Sequence, residues 1–384
     1  VHNLSINIKS GGHSFEGFSL NNDGMVIDIS NMNKLELTSN NQLIAEPAVR
    51  LAQLYSYCLP KGRLLPSGSC ATVGLSGITL GGGYGLFGRQ FGLTCDHLIG
   101  VRMVDAKGNV IDSDEMPELL WACRGGGNGN FGVITQLRFN TVSAPTTLYQ
   151  HRFRSFKVDP KKAATLAKFW FEQTNNLPKH AFSAFVLNRK TLTVMLTATE
   201  HDKNMIEILA NFDKTMDQNA NLKPDPVEKC VQYYYGRNNA LYFKNISAGY
   251  YEDFSDIENY AEDLFSQVAN TPGMVFQVNT LGGEINNPSI VKEGAYAHRN
   301  ARYLGEAQCY WKKPEEEHRS MLGMKNIQNT LYENGVTQHY INYPDLNINN
   351  YGEAYYGQSY ERLQKLKLTL DPDNRFNFQQ SVSR

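Results

Sequence analysis

Hydrophobic and polar positions alternate in short blocks over the first 140 residues, which predicts brief strands and brief helices. Residues 24–30 ("GMVIDIS") and 42–49 ("QLIAEPAV") have strand-like patterns, and 50–62 place apolar side chains at helical spacing before a Lys-Gly stop. Residues 98–113 predict two strands joined by a turn at Lys107-Gly108-Asn109. A short helix near Pro117 and a further strand follow.

After Pro145 the predicted helices and strands become longer. Helical periodicity runs through 160–176 and 256–270, and strand-like stretches such as 191–199 and 274–281 lie between these helices. This alternation predicts an α+β fold whose second domain has an antiparallel sheet flanked by helices. A last helix is predicted before Asp371-Pro372. We therefore divide the chain into a first domain (1–145), a second domain (146–340) and a C-terminal tail (341–384).

Length and charge narrow the class of protein. A chain of 384 residues exceeds the usual size of one core, so two domains, or one domain with a large insertion, are expected. A net charge of -1 and the lack of a long apolar run predict neither a nucleic acid nor a membrane as partner, and favour a small molecule. The six cysteines have no metal-type spacing, so no metal site is predicted. The chain starts without Met and soon enters a strand, so we expect an upstream segment, and no localisation is predicted.

Glycine is concentrated in two segments of the first domain. Nine glycines lie between Ser67 and Gly92, and a second patch, "RGGGNGNFGV", spans 124–133. Gly83, Gly85 and Gly88 match a dinucleotide-binding fingerprint, but no apolar strand precedes them and glycines interrupt the helix that should follow. A phosphate loop is excluded because no Gly-Lys-Ser/Thr follows. The patches instead favour backbone amides that approach one extended ligand.

His13 lies in a third glycine turn, "IKSGGHSFEGFS" (8–19). From the turn alone, this histidine could be a turn residue, a metal ligand, a catalytic base or an attachment point for a group that is not protein. The alternatives stay open on this evidence, because a Gly-Gly-His turn has no single chemical use.

Four motifs together resemble one family. The segments "SGGHSFEG", "GSCATVGLSGITLGGGYG" and "GGGNGNFGVIT", and the C-terminal "YINYPD" with "LDPDNRFNFQQSV", are similar to the berberine-bridge-enzyme-like branch of the vanillyl-alcohol-oxidase flavoproteins. The resemblance implies a PCMH-type FAD-binding domain, built from the N-terminal part and the tail. It also implies a substrate domain whose antiparallel sheet covers the flavin, and it suggests that a segment upstream of residue 1 completes the FAD site.

The resemblance assigns residues as well as a fold. It implies a bicovalent FAD, bonded through His13 to the flavin 8α-methyl group and through Cys70 to C6. Neutral imidazole and thiolate are suitable nucleophiles for these electrophilic ring positions. The other implied cofactor-binding residues are Gly11, Gly12, Ser14, Gly68, Ser69, Val73, Gly74, Gly77, Gly81, Gly83, Tyr84, Gly85, Gly132, Val133, Ile134, Asn342 and Tyr343.

Tyr343 is also the implied catalytic base. It would take a proton from a substrate hydroxyl while the flavin accepts hydride from the adjoining carbon. A phenol with an ordinary pKa of about 10 is a poor base at neutral pH, so nearby donors or positive charge must stabilise the phenolate. For Asp345 we favour a turn residue over a role next to the site, and we interpret His298 and Arg299 as structural.

The implied activity is that of an FAD-dependent oxidase. It would oxidise an alcohol or hemiacetal carbon of a sugar, an oligosaccharide or a secondary metabolite, and reduce O2 to H2O2, as a monomer or small homo-oligomer. The alternatives are a flavin dehydrogenase with another acceptor and a non-catalytic binding protein on the same fold. Phe15 and Ile78 replace a tyrosine and a histidine of the family pattern, so we expect the redox tuning or the reaction with O2 to differ from that pattern. The small Val73 favours the oxidase.

Overall fold

A computed structural model describes residues 4–236, 241–291 and 293–384. Residues 1–3 of the predicted first domain lie outside the described residues. The predicted α+β fold is confirmed, because short helices alternate with mostly antiparallel sheets. None of the described helices is long and apolar enough to cross a bilayer.

The first part of the chain contains small sheets. Its strands are β1 (Ile6–Lys9), β2 (Met25–Asp28), β3 (Leu35–Leu37), β4 (Gln42–Ala45), β5 (Arg63–Leu64), β6 (Leu98–Val104), β7 (Val110–Asp112), β8 (Val133–Asn140) and β9 (Val142–Ser143). Strands β3-β4-β8-β6-β7 form an antiparallel sheet, β5 pairs with β9, and β1 pairs with β2 in parallel. The helices are α1 (Leu51–Cys58), α2 (Leu75–Leu80), α3 (Gly88–Phe91) and α4 (Pro117–Cys123), with 3-10 turns at Leu59–Lys61 and Thr94–His97.

This arrangement explains why the glycine fingerprint is not a dinucleotide site. The segment of Gly83, Gly85 and Gly88 follows the helix α2 rather than a strand, and α3 is a single turn. A dinucleotide fingerprint requires a strand before the turn and a full helix after it.

The middle of the chain forms a seven-stranded antiparallel sheet in the order β13-β10-β12-β11-β15-β16-β14. Its strands are β10 (Thr147–Ser155), β11 (Ala181–Asn188), β12 (Thr191–Ala198), β13 (Gln218–Pro226), β14 (Tyr242–Tyr251), β15 (Met274–Thr280) and β16 (Tyr303–Trp311). The helices are α5 (Pro160–Asn175), α6 (Lys203–Thr215), α7 (Val227–Gln232), α8 (Ser255–Glu258), α9 (Ala261–Asn270), α10 (Pro288–Val291) and α11 (Glu317–Glu333), with 3-10 turns at Gly283–Asn286 and Pro314–Glu316.

One predicted helix is divided. The periodicity over 256–270 continues from α8 into α9, but Tyr260 adopts φ -126° and ψ 5°, outside the helical region. The hydrophobic spacing persists across the break because both helices pack their apolar residues in the same core.

At strands β15 and β16 the seven-stranded sheet has one apolar and one polar face. In β16, Ala307 and Cys309 belong to the core beneath the helices, so Glu306, Gln308 and Tyr310 lie on the opposite face. Asn279 in β15 is buried, although it is polar. The polar face is therefore available to cover a site formed by the first part of the chain.

The tail returns to the first core. It contains α12 (Tyr351–Tyr356), a 3-10 turn at Gly357–Ser359 and α13 (Tyr360–Leu370), and apolar residues of both helices belong to the core of the first part. The fully buried Lys367 Nζ donates to Asp371 Oδ2 (2.6 Å) and to the carbonyls of Asn130 and Phe376 (both 2.7 Å). This cation ties the tail to the second glycine patch.

Replacing Lys367 with alanine is expected to lower the free energy of unfolding by about 3–5 kcal/mol, because Asp371 would remain buried without its partner. Urea unfolding followed by circular dichroism measures the change. Lys365→Ala, on the exposed side of the same helix, is the control, with an expected change within about 0.5 kcal/mol. Equal losses in the two variants would contradict the role of Lys367.

Candidate active site

His13 and Cys70 meet at one hydroxyl group. His13 Nε2 lies 2.9 Å from Thr72 Oγ1, and Cys70 Sγ lies 3.9 Å from the same oxygen. His13 is exposed and Cys70 is half-buried, whereas the other five cysteines are buried. The fold thus brings together the two nucleophiles that the sequence predicted as attachment points.

Arg50 holds the two loops together. Its Nη1 donates to Gly11 O (2.7 Å) and to Thr72 O (2.5 Å). A Cβ atom on Gly74 would lie 2.6 Å from Ser10 Oγ and 2.7 Å from Gly11 N, so the loops approach as closely as glycine allows. Partial desolvation, followed by the Arg50 charge, lowers the pKa of His13. Its imidazole is therefore neutral, and nucleophilic, at neutral pH.

The other predicted cofactor-binding residues lie in loops, in α2 and at the start of β8. Gly77 is exposed and has open space around its Cα, so a ligand can approach the backbone there. Ile134 packs in the core at the start of β8, whereas Val133 is half-buried, so at Ile134 only the backbone can reach a ligand. The turn 11–14 carries Gly11, Gly12 and Ser14, and the segment 68–85 carries Gly68, Ser69, Val73, Gly74, Gly77, Gly81, Gly83, Tyr84 and Gly85.

Asn342 fixes the tail against the glycine segments. Its Nδ2 donates to Ile78 O (3.1 Å) and to Tyr340 Oη (2.8 Å), and its Oδ1 accepts from Asn128 Nδ2 (2.8 Å). Tyr340 Oη also accepts from Gly83 N (2.9 Å). Asn342 therefore acts through the backbone and side chains that it holds in place.

Tyr343 belongs to a row of hydrogen-bonded side chains. Its hydroxyl lies 2.5 Å from that of Tyr84, which accepts a hydrogen bond from Asn279 Nδ2 (3.1 Å). Gln277 Nε2 in turn donates to Asn279 Oδ1 (2.7 Å). The two tyrosines are thus connected to amides on the polar face of the seven-stranded sheet.

Glu306 is the acceptor at the end of this row, and the sequence interpretation did not identify it. Burial raises its pKa to about 7, while hydrogen bonds from Gln308 and Tyr343 partly oppose this rise. From the other side, Asn245 Nδ2 donates to Tyr310 Oη (3.1 Å), which donates to Gln308 Oε1 (3.3 Å). Glu306 is the carboxyl group next to Tyr343 and Gln308, and its pKa of about 7 suits it to accept a proton.

The surroundings of Tyr343 do not favour a phenolate. Desolvation, and then the negative charge of Glu306, raise the pKa of Tyr343 and of Tyr84 well above the ordinary value. A free phenolate base would need a nearby positive charge to lower its pKa, whereas the largest effects on Tyr343 raise its pKa. Tyr343 can instead pass a proton to Glu306 as it receives one.

The two departures from the family pattern are both packed against the site. Phe15 stacks on Tyr343, with ring centroids 5.3 Å apart and planes at 14°. A Cβ atom on Gly68 would lie 2.5 Å from Ile78 Cδ1, so Ile78 fills the space beside that glycine. Neither residue supplies the polar group that the pattern places there.

Three further residues have structural partners. His298 stacks on Tyr250 at 4.4 Å, and Arg299 Nη1 donates to Asp96 Oδ2 (2.9 Å) with both side chains 3% exposed. Both contacts agree with the structural interpretation. Asp345 is more than a turn residue, because its buried carboxylate also pairs with Lys244 Nζ (3.2 Å).

The residues present fit a flavin. Two nucleophiles converge at Thr72, open backbone lies at Gly77, and Asn128 Oδ1 is buried without a hydrogen-bond partner among the described residues. No group of three or more metal-ligating side chains occurs among those residues. These side chains therefore suit the attachment of an organic cofactor better than the coordination of a metal ion.

Known families and structures support this view. Residues 1–114 match the FAD binding domain family, and residues 339–383 match the family described as berberine and berberine like. The FAD-linked oxidoreductase YvdP of Bacillus subtilis, itself uncharacterized, is 30% identical over 403 residues, which cover 99% of this chain and 87% of that protein.

Two solved structures have the same fold. A chitooligosaccharide oxidase is 23% identical, with a TM-score of 0.88, and the match covers 100% of this chain and 87% of the other. A xylooligosaccharide oxidase from Myceliophthora thermophila, in complex with xylobiose, is 21% identical, with a TM-score of 0.86 and coverage of 99% and 86%.

The fold and the site define an FAD-dependent oxidoreductase. The chain belongs to the berberine-bridge-enzyme-like family of FAD-linked oxidoreductases.

Proposed function

We propose that this protein is an oxidase of alcohol or hemiacetal carbons that uses O2 and releases H2O2. The observation that carries this proposal is the Tyr84–Tyr343–Glu306 row, which Phe15 joins to the turn of His13 by its stack on Tyr343. Bound FAD would supply the hydride acceptor and the electrons for the reduction of O2. The convergence of His13 and Cys70 on the Thr72 hydroxyl group supports FAD that is bonded through both side chains.

The proton steps belong to the protein. A substrate hydroxyl that approaches Tyr343 can donate to its oxygen, while the Tyr343 proton moves to Glu306. Gln308 donates toward the same carboxylate, which favours the ionised form of Glu306 that accepts the proton. A relay that ends in a group with a pKa of about 7 matches the base to neutral pH.

An oligosaccharide is the substrate class that we favour. The polar face above Tyr343 offers amide groups from Gln277, Asn279 and Gln308, which suit substrate hydroxyl groups. The two oligosaccharide oxidases of the same fold support this choice. An alcohol of a secondary metabolite is the alternative.

We also propose which parts of the chain bind FAD and which bind the substrate. Residues 1–145 and 341–384 form the FAD-binding part, and 146–340 form the substrate part. The tail residues in the first core and the separate core of the seven-stranded sheet support this division.

The test of the proposed function combines colour and peroxide. Purified full-length protein is precipitated with acid, and a yellow pellet is expected from covalent flavin. A peroxide-coupled assay then compares oligosaccharides with phenolic and polycyclic alcohols, and an artificial electron acceptor is tested in parallel. Oxidation with the artificial acceptor but without peroxide would indicate a dehydrogenase, and a colourless protein would favour a binding protein.

Tyr343→Phe is expected to keep the yellow colour and to lower the rate constant of flavin reduction by about 10- to 100-fold, because the relay loses its middle hydroxyl. Anaerobic stopped-flow absorbance measures this rate. Tyr332→Phe, which removes a hydroxyl from a highly exposed tyrosine, is the control and should reduce its flavin normally. Near-normal reduction in Tyr343→Phe would remove Tyr343 from the relay.

A further inference from the structure

One lysine connects the three segments that form the site. Lys244 in β14 forms ion pairs with Glu16 and with Asp345, and the side chains are 10%, 11% and 5% exposed. Glu16 lies three residues after His13, and Asp345 lies two residues after Tyr343. The ammonium group thus joins the cofactor turn, the sheet and the loop of the relay tyrosine.

Both carboxylates are held in a fixed direction by further donors. Glu16 Oε1 accepts from Leu346 N (3.0 Å). Asp345 Oδ2 accepts from Gln328 Nε2 (2.5 Å), and its Oδ1 accepts from Asn347 Nδ2 (2.9 Å). The lysine therefore meets two acceptors that are already oriented, which is the geometry of a fixed link.

An aromatic contact runs parallel to this link. The Phe15 ring stacks on Tyr343 and meets the Phe243 ring edge-on, with centroids 6.0 Å apart. Phe15 precedes Glu16, and Phe243 precedes Lys244. A shift of the ion pair would therefore also move the ring that lies against Tyr343.

We propose that Lys244 is a positioning residue that holds the His13 turn and the Tyr343 loop at one separation. This inference rests on the proposed function, because it concerns the attachment at His13 and the relay through Tyr343. A displacement of about 1 Å can lower the rate of a positioned reaction by about 100-fold. Loss of the link should therefore affect cofactor attachment and flavin reduction together.

A contribution to stability alone would have a different signature. Without Lys244, Glu16 and Asp345 become two unpaired carboxylates, and their repulsion separates the segments. If all three charges are removed together, the repulsion disappears but the link is still missing. The triple variant Glu16→Gln, Lys244→Met, Asp345→Asn therefore separates positioning from charge burial.

The experiment compares Lys244→Met, Lys244→Arg and the triple variant with Lys9→Met as purified holoenzymes. Lys9 forms an exposed ion pair with Asp28 next to the same turn, so it is a matched control. Mass spectrometry of flavin peptides measures the fraction bonded through His13, and stopped-flow absorbance measures flavin reduction over a range of substrate concentrations.

In Lys244→Met and in the triple variant, the fraction of flavin bonded through His13 is expected to fall by at least half. Their limiting rate of reduction should fall about tenfold or more, while the half-saturating substrate concentration changes less than threefold. Lys244→Arg should restore most of both quantities, and Lys9→Met should match the unaltered protein.

Unchanged attachment and reduction in a folded Lys244→Met protein would overturn the inference. Recovery of both in the triple variant would also overturn it, because the defect would then be charge burial. If Lys244→Met does not fold, the triple variant decides alone. A colourless acid pellet from the unaltered protein would contradict the proposed attachment instead, and the reduction rates would then decide the role of Lys244.

Discussion

Glu306→Gln is expected to lower the rate constant of flavin reduction by about 10²- to 10⁴-fold, because the relay loses its final proton acceptor. Glutamine keeps the size of the side chain and the hydrogen bond from Tyr343 but cannot take up the proton. Anaerobic stopped-flow mixing with substrate measures the rate, and the flavin absorbance should remain that of the unaltered protein. Glu315→Gln, an exposed residue just after β16, is the control and should reduce its flavin normally.

The carboxyl group of Glu306 is also expected to set the pH dependence of flavin reduction. Burial raises the pKa of Glu306 to about 7, so the group accepts a proton only when pH is above that value. The reduction rate of the unaltered protein should therefore rise with pH through about 7 and then level off. Glu306→Gln should lose this rise. A variant that keeps both the rate and the pH profile would exclude Glu306 as the acceptor.

The variant His13→Ala, Cys70→Ala is expected to abolish covalent flavin. Each single variant keeps one attachment point, so its acid pellet should stay yellow, whereas the double variant should release all colour into the supernatant. Absorbance at 450 nm of pellet and supernatant measures this distribution, and flavin peptides identify the remaining bond.

Two substitutions control for loss of a side chain alone. His318→Ala removes an exposed histidine, and Cys58→Ala removes a buried cysteine, so both pellets should stay yellow. A single variant that loses all covalent flavin would show that only one residue forms a bond. Yellow in the pellet of the double variant would place the attachment elsewhere.

The elements that depend on neighbours in sequence were well predicted. The apolar spacing of 160–176 indicated α5, and the alternation in 191–199 indicated β12. Such patterns are local, because the periods of helix and strand are set by the backbone. The prediction of one continuous helix over 256–270 was wrong at Tyr260. The backbone leaves the helical region there, although the hydrophobic spacing continues.

The candidate site was predictable where a motif carries it. His13, Cys70 and Tyr343 each lie in a short motif, so the sequence could name them. Glu306 has no motif, and its only signal is the alternation of Glu306, Gln308 and Tyr310 along an otherwise apolar strand. Its role depends on the Tyr343 hydroxyl, which comes from the tail.

By itself, the sequence determined the α+β class, the helices and strands with strong periodicity, and the family with its FAD. These features follow from local periodicity and from the order of the motifs, both of which can be read directly from the sequence. Only the tertiary structure decided that His13 and Cys70 share Thr72, that Lys244 links Glu16 to Asp345, and that Glu306 lies next to Tyr343. Proton transfer and buried charge depend on distances of a few ångströms between distant segments, and the folded chain alone sets those distances.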